Sequence, residues 1–408
     1  MNFNAPKSNQ KAEALRARGC QDLKKGKLYD ALLWINKSLC LAERCSPTVG
    51  LIYANRADIY FHLKLFDKCL NNIEHARNES CPKDSLCILN ELEEKCLNQL
   101  DEFGLKTENP WEFFKLSHTP SKKLPFIIDC LDIKCDKKFG RFIVSNKPLN
   151  VGDIIAIEEP FFRIVKTEVD DKEYPETNVY QYCANCLTDN LMDLIPCSRC
   201  ITTMFCSKKC LESAAQGFHQ YECSILPALS ETGNWRMTFK NFFHALSICD
   251  GSIEKLEKLM QESDELSSTS VFNYDFSDVT TDEYLKNQLM CMLSLERKVE
   301  VDIKDFSEIF MQQPKLAKMW PDHKQFINRF LERMMQVEIL NFHGIKGRSL
   351  SKSNPYRACL GDGGYTFSSL INHSCCPNVM RICVDSRMVM IVERPIKPGE
   401  QLFDCYIG

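Results

Sequence analysis

The sequence predicts an α+β multidomain protein: a β-rich domain split by an inserted zinc module and a helical stretch, preceded by an α-helical repeat domain. Three observations carry this reading. Residues 10–103 show helical periodicity that recurs at a fixed offset. Residues 124–165 and 359–408 are rich in Ile, Val and Phe and broken by Pro and Gly, the texture of short strands. Between them, eight residues with metal-ligand chemistry crowd into the window 183–223.

Bulk properties narrow the class. The 408 residues suffice for two or three domains with their own cores. Hydrophobic content of 44% and charged content of 26% are ordinary for a globular protein. A net charge of −4 gives no basic signature for nucleic acid. The opening MNFNAPKSNQKAEALRARG has no apolar core segment of the secretory type, and no run of about 18 apolar residues suggests a membrane span. With 23 cysteines and no sign of export, the thiols are expected reduced, in cytoplasm and nucleus.

In the helical region, Gly19 and Ala31 are matched 38 residues later by Ala57 and Cys69. At the same offset Ile35 meets Ile73, and Ser38 meets Ala76. Small residues are needed where paired helices cross. Leu28, Leu32, Ile35 and Leu39 form one apolar stripe, and SLCILNELEEKCLNQL reads as a further helix closing the stack. GCQDLKKGKLYDALLWINKSL and YANRADIYFHLKLFDKCLNNIEHA resemble tetratricopeptide (TPR) repeats. Residues 104–123, with two prolines and little periodicity, read as a linker.

The ligands are Cys183, Cys186, Cys197, Cys200, Cys206, Cys210, His219 and Cys223. They pair as C-x2-C, C-x2-C, C-x3-C and H-x3-C, and four pairs make two tetrahedral sets, as in structural zinc sites. Arg199, Lys208 and Lys209 stand against Asp189, Asp193, Glu212 and Glu222 in this window. That balance does not track phosphate, so direct DNA binding is not expected and protein binding is. The acidic TEVDDKEYPETN leads into the module, and residues 235–345 turn helical before NVMRICV and RMVMIVERPI return to strands.

INHSCCPN, residues 371–378, clusters a carboxamide, an imidazole and thiols after an apolar strand. It resembles the NHSC-x-PN signature of SET-domain lysine methyltransferases. PGEQLFDCY resembles the strand and tyrosine that close that active site, and GRFIVSNKPLNVGD the opening strand and turn. A SET domain split by such a zinc pair resembles the SET-and-MYND (Smyd) family, and the N-terminal repeats its TPR-bearing branch. The resemblance implies these parts: TPR-like repeats at 10–103, the first SET part at 124–182, the MYND zinc module at 183–223, a helical insertion at 224–345 and the second SET part at 346–408.

It also implies a chemistry, transfer of a methyl group from S-adenosylmethionine (SAM) to a lysine of a protein substrate. Tyr406 matches the pocket tyrosine. Phe139, Gly140 and Arg141 match the turn that wraps the cofactor, with Phe142 where the family more often has a second glycine. Asn372 and His373 match the signature residues that hold SAM. Asn341 closes an apolar stripe of Phe326, Phe330, Met334 and Val337, where a carboxamide needs a partner, and the family has an asparagine in a similar setting. Two Zn2+ are implied, one on Cys183, Cys186, Cys206 and Cys210, the other on Cys197, Cys200, His219 and Cys223. The sequence given ends two residues after Tyr406, before the post-SET cysteines that in the family join a residue such as Cys375 around a third zinc. Two zinc ions and an open, slowed active site are therefore expected; the alternative is a non-catalytic adaptor. MYND modules of the family bind proline-rich peptides, and Met204 and Phe205 are candidates to line that groove. Glu158–Glu159 reads as strand-edge charge, His343 as structural or exposed, Met290 and Met292 as helix core. His62, His75 and His118 have no ligand constellation around them.

Overall fold

The computed structural model describes residues 6–79, 81–103, 109–166, 178–226, 229, 235–265, 271–301, 318–347 and 358–406. The chain divides into two compact units, Met1–Glu108 with Val165–Ala215, and Asn109–Ile164 with Gln216–Gly408. No helix among the described residues is long and apolar enough to cross a membrane.

The first unit opens with α1 (Asn9–Lys24), α2 (Leu28–Leu41), α3 (Pro47–His62), α4 (Phe66–Asn78) and α5 (Lys83–Phe103). Helix α1 packs on α2, and α3 on α4. Ser8 caps α1, its hydroxyl accepting the Lys11 N–H, and Pro47 starts α3, where a missing N–H costs nothing. All eight positions matched by the 38-residue offset are buried. At Gly19 a Cβ would lie 3.0 Å from the Ile35 side chain and 3.2 Å from the Ala31 carbonyl oxygen, so any larger residue would press the two helices apart by a few tenths of an ångström. The repeat in the sequence is a repeat of packing positions.

The chain then enters the second unit. Of the expected linker, residues 104–108 lie outside the described residues. From Ser117 the segment is fixed to the sheet: the Ser117 N–H donates to Ile154 O at 3.0 Å, and the Asp129 N–H to Thr119 O at 2.8 Å. Its weak periodicity reflects irregular backbone bonded along a strand. Strands β1 (Leu131–Asp136) and β2 (Gly140–Ser145) form a hairpin. The Asp136 carboxylate closes it by accepting the Lys138 and Phe139 N–H groups at 2.9 and 2.7 Å. Strands β3 (Ile154–Glu158) and β4 (Phe162–Val165) follow.

Back in the first unit come β5 (Ile195–Pro196), β6 (Met204–Phe205) and α6 (Lys208–Gln216). The acidic stretch before them, residues 167–177, lies outside the described residues. Met204 and Phe205 are completely buried, which corrects the expectation that they line an open groove. Paired with β5, they supply the small module's apolar core. Buried polar groups join this segment to the helices. Arg56, 1% exposed, pairs with Asp193 at 3.1 Å and donates to Asn72 Oδ1, Asn36 Oδ1 and Leu194 O at 2.6, 3.0 and 2.7 Å. The Asn36 amide donates in turn to Tyr180 O and Met192 O at 3.0 and 2.8 Å.

The rest of the second unit holds α7 (His219–Glu222), α8 (Trp235–Ile248), α9 (Ile253–Glu265), α10 (Asp282–Leu293) and α11 (Lys324–Asn341). Strands β7 (Phe342–Gly347), β8 (Ala358–Gly364), β9 (Asn372–His373), β10 (Val379–Val384), β11 (Arg387–Val392) and β12 (Phe403–Asp404) complete it. Met290 and Met292 are core, as expected. The helical insertion ends earlier than expected. The helix ends at Asn341, and the chain passes directly into β7. The sheet orders are β4-β8-β7 and β10-β11-β3, and β9 runs parallel to β12. Strand β11 pairs with β3, Val389 opposite Ile157, so the strands on either side of the insertion share one unit.

Glu158 and Glu159 point to opposite faces, as neighbours on a strand end must. Glu159 is exposed and pairs with Arg387 at 2.7 Å, as strand-edge charge should. Glu158 is 2% exposed, which corrects that reading for it. Its carboxylate accepts from Thr366 Oγ1, Phe367 N, Ser368 N and Ser368 Oγ, all at 2.8–2.9 Å.

Glu338 on α11 is also buried, and burial pushes its carboxyl up to about 8 despite donors on Thr238 and Asn241 of α8 at 2.6 Å. A raised folded-state pKa means its stabilisation is full below about 4.5 and lost as pH rises toward 8. Glu338→Gln should therefore flatten the pH dependence of urea unfolding in that window and be the more stable form at pH 8, by about 2–4 kcal/mol. Parallel pH profiles for the two proteins would disprove the assignment.

Candidate functional site

Two arrangements of functional side chains stand out. The first is in the zinc-type module. Cys183, Cys186, Cys206 and Cys210 lie in the first unit with their sulfur atoms within 4.8 Å of one another. Cys186 Sγ is 3.4 Å from Cys206 Sγ, which is 3.6 Å from Cys210 Sγ. The turn after Cys183 closes by the Leu187 N–H on Cys183 O at 2.9 Å, with Leu187 left-handed at φ 63°. Neighbouring thiols push Cys186 and Cys206 up and pull Cys183 and Cys210 down. Four thiolates cannot coexist here without a cation, which is the chemistry of a structural metal site. The other donor set, Cys197, Cys200, His219 and Cys223, also has the composition to hold a metal. Its cysteines 197 and 200 belong to the first unit and its other two members to the second. The four-cysteine cluster of the first unit could hold a zinc ion.

Between the first two ligand pairs the backbone is strained. Asn190, Leu191 and Met192 have φ of 42°, 45° and 65°, three consecutive left-handed residues with no glycine. Each costs on the order of 1 kcal/mol. Local bonds hold them: the Leu191 N–H on Asp189 Oδ1 at 2.8 Å, and Asn190 Nδ2 on Asp193 O at 3.0 Å. Helices α2 and α3 add Asn36 on Met192 O and Tyr60 Oη on Leu191 O.

The second arrangement is in the second unit and gathers most of the residues singled out in the sequence. Gly140, at φ +63°, turns β1 into β2, and nothing lies within 4 Å of where its Cβ would be. The turn opens onto space that a ligand could fill. Asn372 Nδ2 reaches across to it, donating to Phe139 O and Arg141 O at 3.2 and 3.3 Å. His373 accepts the Tyr406 N–H on Nδ1 at 3.0 Å, which places its proton on Nε2, 3.5 Å from Cys375 Sγ. The Tyr406 phenol donates to Ile371 O at 2.6 Å, and burial with the nearby Asp404 pushes its pKa up.

Asn341 joins by another route. It is 6% exposed, and its amide donates to Glu296 O and Val337 O at 2.7 and 2.9 Å. Ser369 Oγ donates to its carbonyl at 2.9 Å. The Arg141 guanidinium donates to Ser294 O at 3.1 Å, so the turn at 294–296 is held by both Arg141 and Asn341. Phe142 stacks edge-on against Phe139, which meets Phe403 in the same way, with centroids 5.9 and 6.0 Å apart. The bulky residue in the turn thus packs into an aromatic strip beside Asn372.

Sequence reasoning missed the ion pair behind Tyr406. Arg381 on β10 binds the buried Asp404 on β12. Asp404 also accepts the Cys405 N–H at 2.8 Å, and its carbonyl takes the Ser374 N–H at 2.9 Å. The available signal was an arginine inside the apolar strand NVMRICV, where a charge needs a partner. His343 is half-buried, and burial holds its imidazole neutral, down to about 3. His62 and His118 each meet one carboxylate, Asp58 and Asp153, at 3.6 and 3.1 Å. Arg381→Ala leaves a buried carboxylate without its cation, and should cost about 2 kcal/mol in urea unfolding, with Arg381→Lys recovering part of it. An unchanged midpoint for the alanine variant would show that the pair contributes nothing.

Comparison with known proteins agrees with this geometry. The SET domain family model matches residues 140–407, about two-thirds of the chain. Protein-lysine N-methyltransferase SMYD4 of Danio rerio is 24% identical over 240 residues, covering 55% of this chain and 30% of the relative. The protein of the same name from Pongo abelii is 20% identical over 490 residues, covering 92% and 61%. N-lysine methyltransferase SMYD2 of Mus musculus is 23% identical over 273 residues, covering 67% and 53%. The chain therefore spans less than two-thirds of the length of these curated relatives. With its Gly140 turn, its NHSC segment and its tyrosine strand brought together inside the matched region, the chain belongs to the SET domain family.

Proposed function

We propose that this protein is a SAM-dependent protein-lysine N-methyltransferase of the SET-and-MYND type. The observation that carries the reading is the convergence of Gly140, Asn372, His373 and Tyr406: Asn372 bonds both residues flanking Gly140, more than 200 residues away in sequence, and His373 accepts the Tyr406 N–H. The names of the relatives point the same way.

In this reading SAM supplies the methyl group when bound beside the Gly140 turn. Phe139, Gly140, Arg141, Asn341, Asn372 and His373 would line its site. Asn372 keeps the turn open by bonding both flanking carbonyls. Tyr406 has its phenolic hydrogen committed to Ile371 O, so its oxygen offers a lone pair to an incoming lysine amine. A hydrogen bond there orients the nitrogen, and orientation is the main contribution a protein can make to such a displacement.

The remaining parts follow the same family pattern. The eight cysteine and histidine ligands would hold two Zn2+ in a MYND module that binds proteins, proline-rich peptides among them. The two matched helical hairpins would be TPR repeats. The near-neutral charge of the module disfavours DNA. A chain with 23 cysteines, read as zinc ligands and reduced thiols, would belong in cytoplasm and nucleus.

Calorimetric titration with SAM, followed by transfer of labelled methyl to lysine-bearing proteins, tests the reading. Binding and lysine labelling are expected. Asn372→Ala should weaken SAM at least about tenfold, the equivalent of one lost charge-independent anchor of about 1.4 kcal/mol. A protein that binds no SAM would overturn the enzymatic reading and leave partner binding as the function.

A further inference from the structure

The metal-ligand spacing assigns a role to His219 but none to its neighbour Glu222. His219 and Glu222 face each other across one turn of α7, Nδ1 to Oε1 at 2.9 Å, and are 2% and 1% exposed. The other carboxylate oxygen, Oε2, is buried with no hydrogen-bond partner among the described residues. A carboxylate sealed from water is expensive to keep unless something nearby needs its charge. Arg236 and Lys240 act on it through space, and Lys240 Nζ is already committed to Arg163 O at 2.8 Å.

We infer that Glu222 is the outer partner of a metal-binding histidine. An ionised carboxylate can only accept, so it fixes the imidazole hydrogen on Nδ1 and leaves Nε2 as the nitrogen whose lone pair meets a metal. It also orients the ring and offsets the positive charge the imidazole takes on when ligated. This rests on the reading that His219 ligates zinc.

Chelator competition on the zinc-loaded full chain tests it, with cobalt substitution as a spectroscopic readout of the histidine-containing site. Wild type should release two equivalents of zinc. Glu222→Ala should weaken one equivalent 10–100-fold and leave the other unchanged. Glu222→Gln, which can still accept from Nδ1 but carries no charge, should fall between. Cobalt spectra should change for the affected site alone. If Glu222→Ala keeps both equivalents at wild-type strength, or weakens both alike, the assignment is overturned. A wild-type chain with a single zinc would instead remove the histidine site itself, and the role of Glu222 with it.

Discussion

The second unit depends on one buried carboxylate. It is assembled from segments separated by an insertion, and no local preference brings β3 to residues 366–368. Pairing of β3 with β11 aligns the strands, but Glu158 fixes the segment beyond them with four hydrogen bonds. Burial pushes its carboxyl up, while the N–H groups of Phe367 and Ser368 pull it down. Four donors on two oxygens come close to saturating a carboxylate, which is what makes its burial tolerable. From the segment so fixed, Ser369 reaches Asn341, Ile371 receives the Tyr406 phenol, and Asn372 reaches the Gly140 turn. A shift at Glu158 would be passed to every residue of the candidate site.

The first unit solves a related problem with an arginine. Residues 190–192 are forced into left-handed backbone between the cysteine pairs 183/186 and 197/200. Such strain persists only where the surroundings over-determine it. Arg56, Asn36, Asn72 and Tyr60 do so, binding Asp193 and the carbonyls of Leu191, Met192 and Leu194. The helices and the loop are therefore parts of one folding problem. A buried guanidinium needs a counter-charge, so Arg56 depends on Asp193, and Asp193 is held where the strained loop puts it.

Legibility in the sequence followed the range of the physics involved. The eight Cys and His residues of the two clusters were readable because pairing at two or three residues is a local steric requirement. The repeat was readable because small residues at helix crossings recur with the fold's own period. Strands β10 and β11 were readable from apolar β-branched runs. What stayed hidden depends on partners distant in sequence. Glu158 and Glu159 are alike in sequence, and only the unit's closure buries one. Met204 and Phe205 look like a surface for a peptide until β5 covers them. Strand β7 was missed because the helical pattern runs up to Asn341 with no Gly or Pro between helix and strand. Arg381 and Asp404 lie on different strands, and nothing in either segment names the other.

The signature residues turn out to spend much of their hydrogen bonding on one another. Asn372 uses its amide on Phe139 and Arg141, His373 takes the Tyr406 N–H, and Tyr406 gives its hydrogen to Ile371. A cluster with its donors already committed does not need a ligand to take shape. That is the condition for preorganisation, where groups stand in place before charge develops and need not reorganise. What remains at the tyrosine is an acceptor, its oxygen lone pair. An acceptor-bearing pocket favours a guest that brings N–H groups, and an amine loses one with each methyl it gains. In the proposed reading, the same bond that fixes Tyr406 on Ile371 would therefore weaken the hold on the product relative to the substrate.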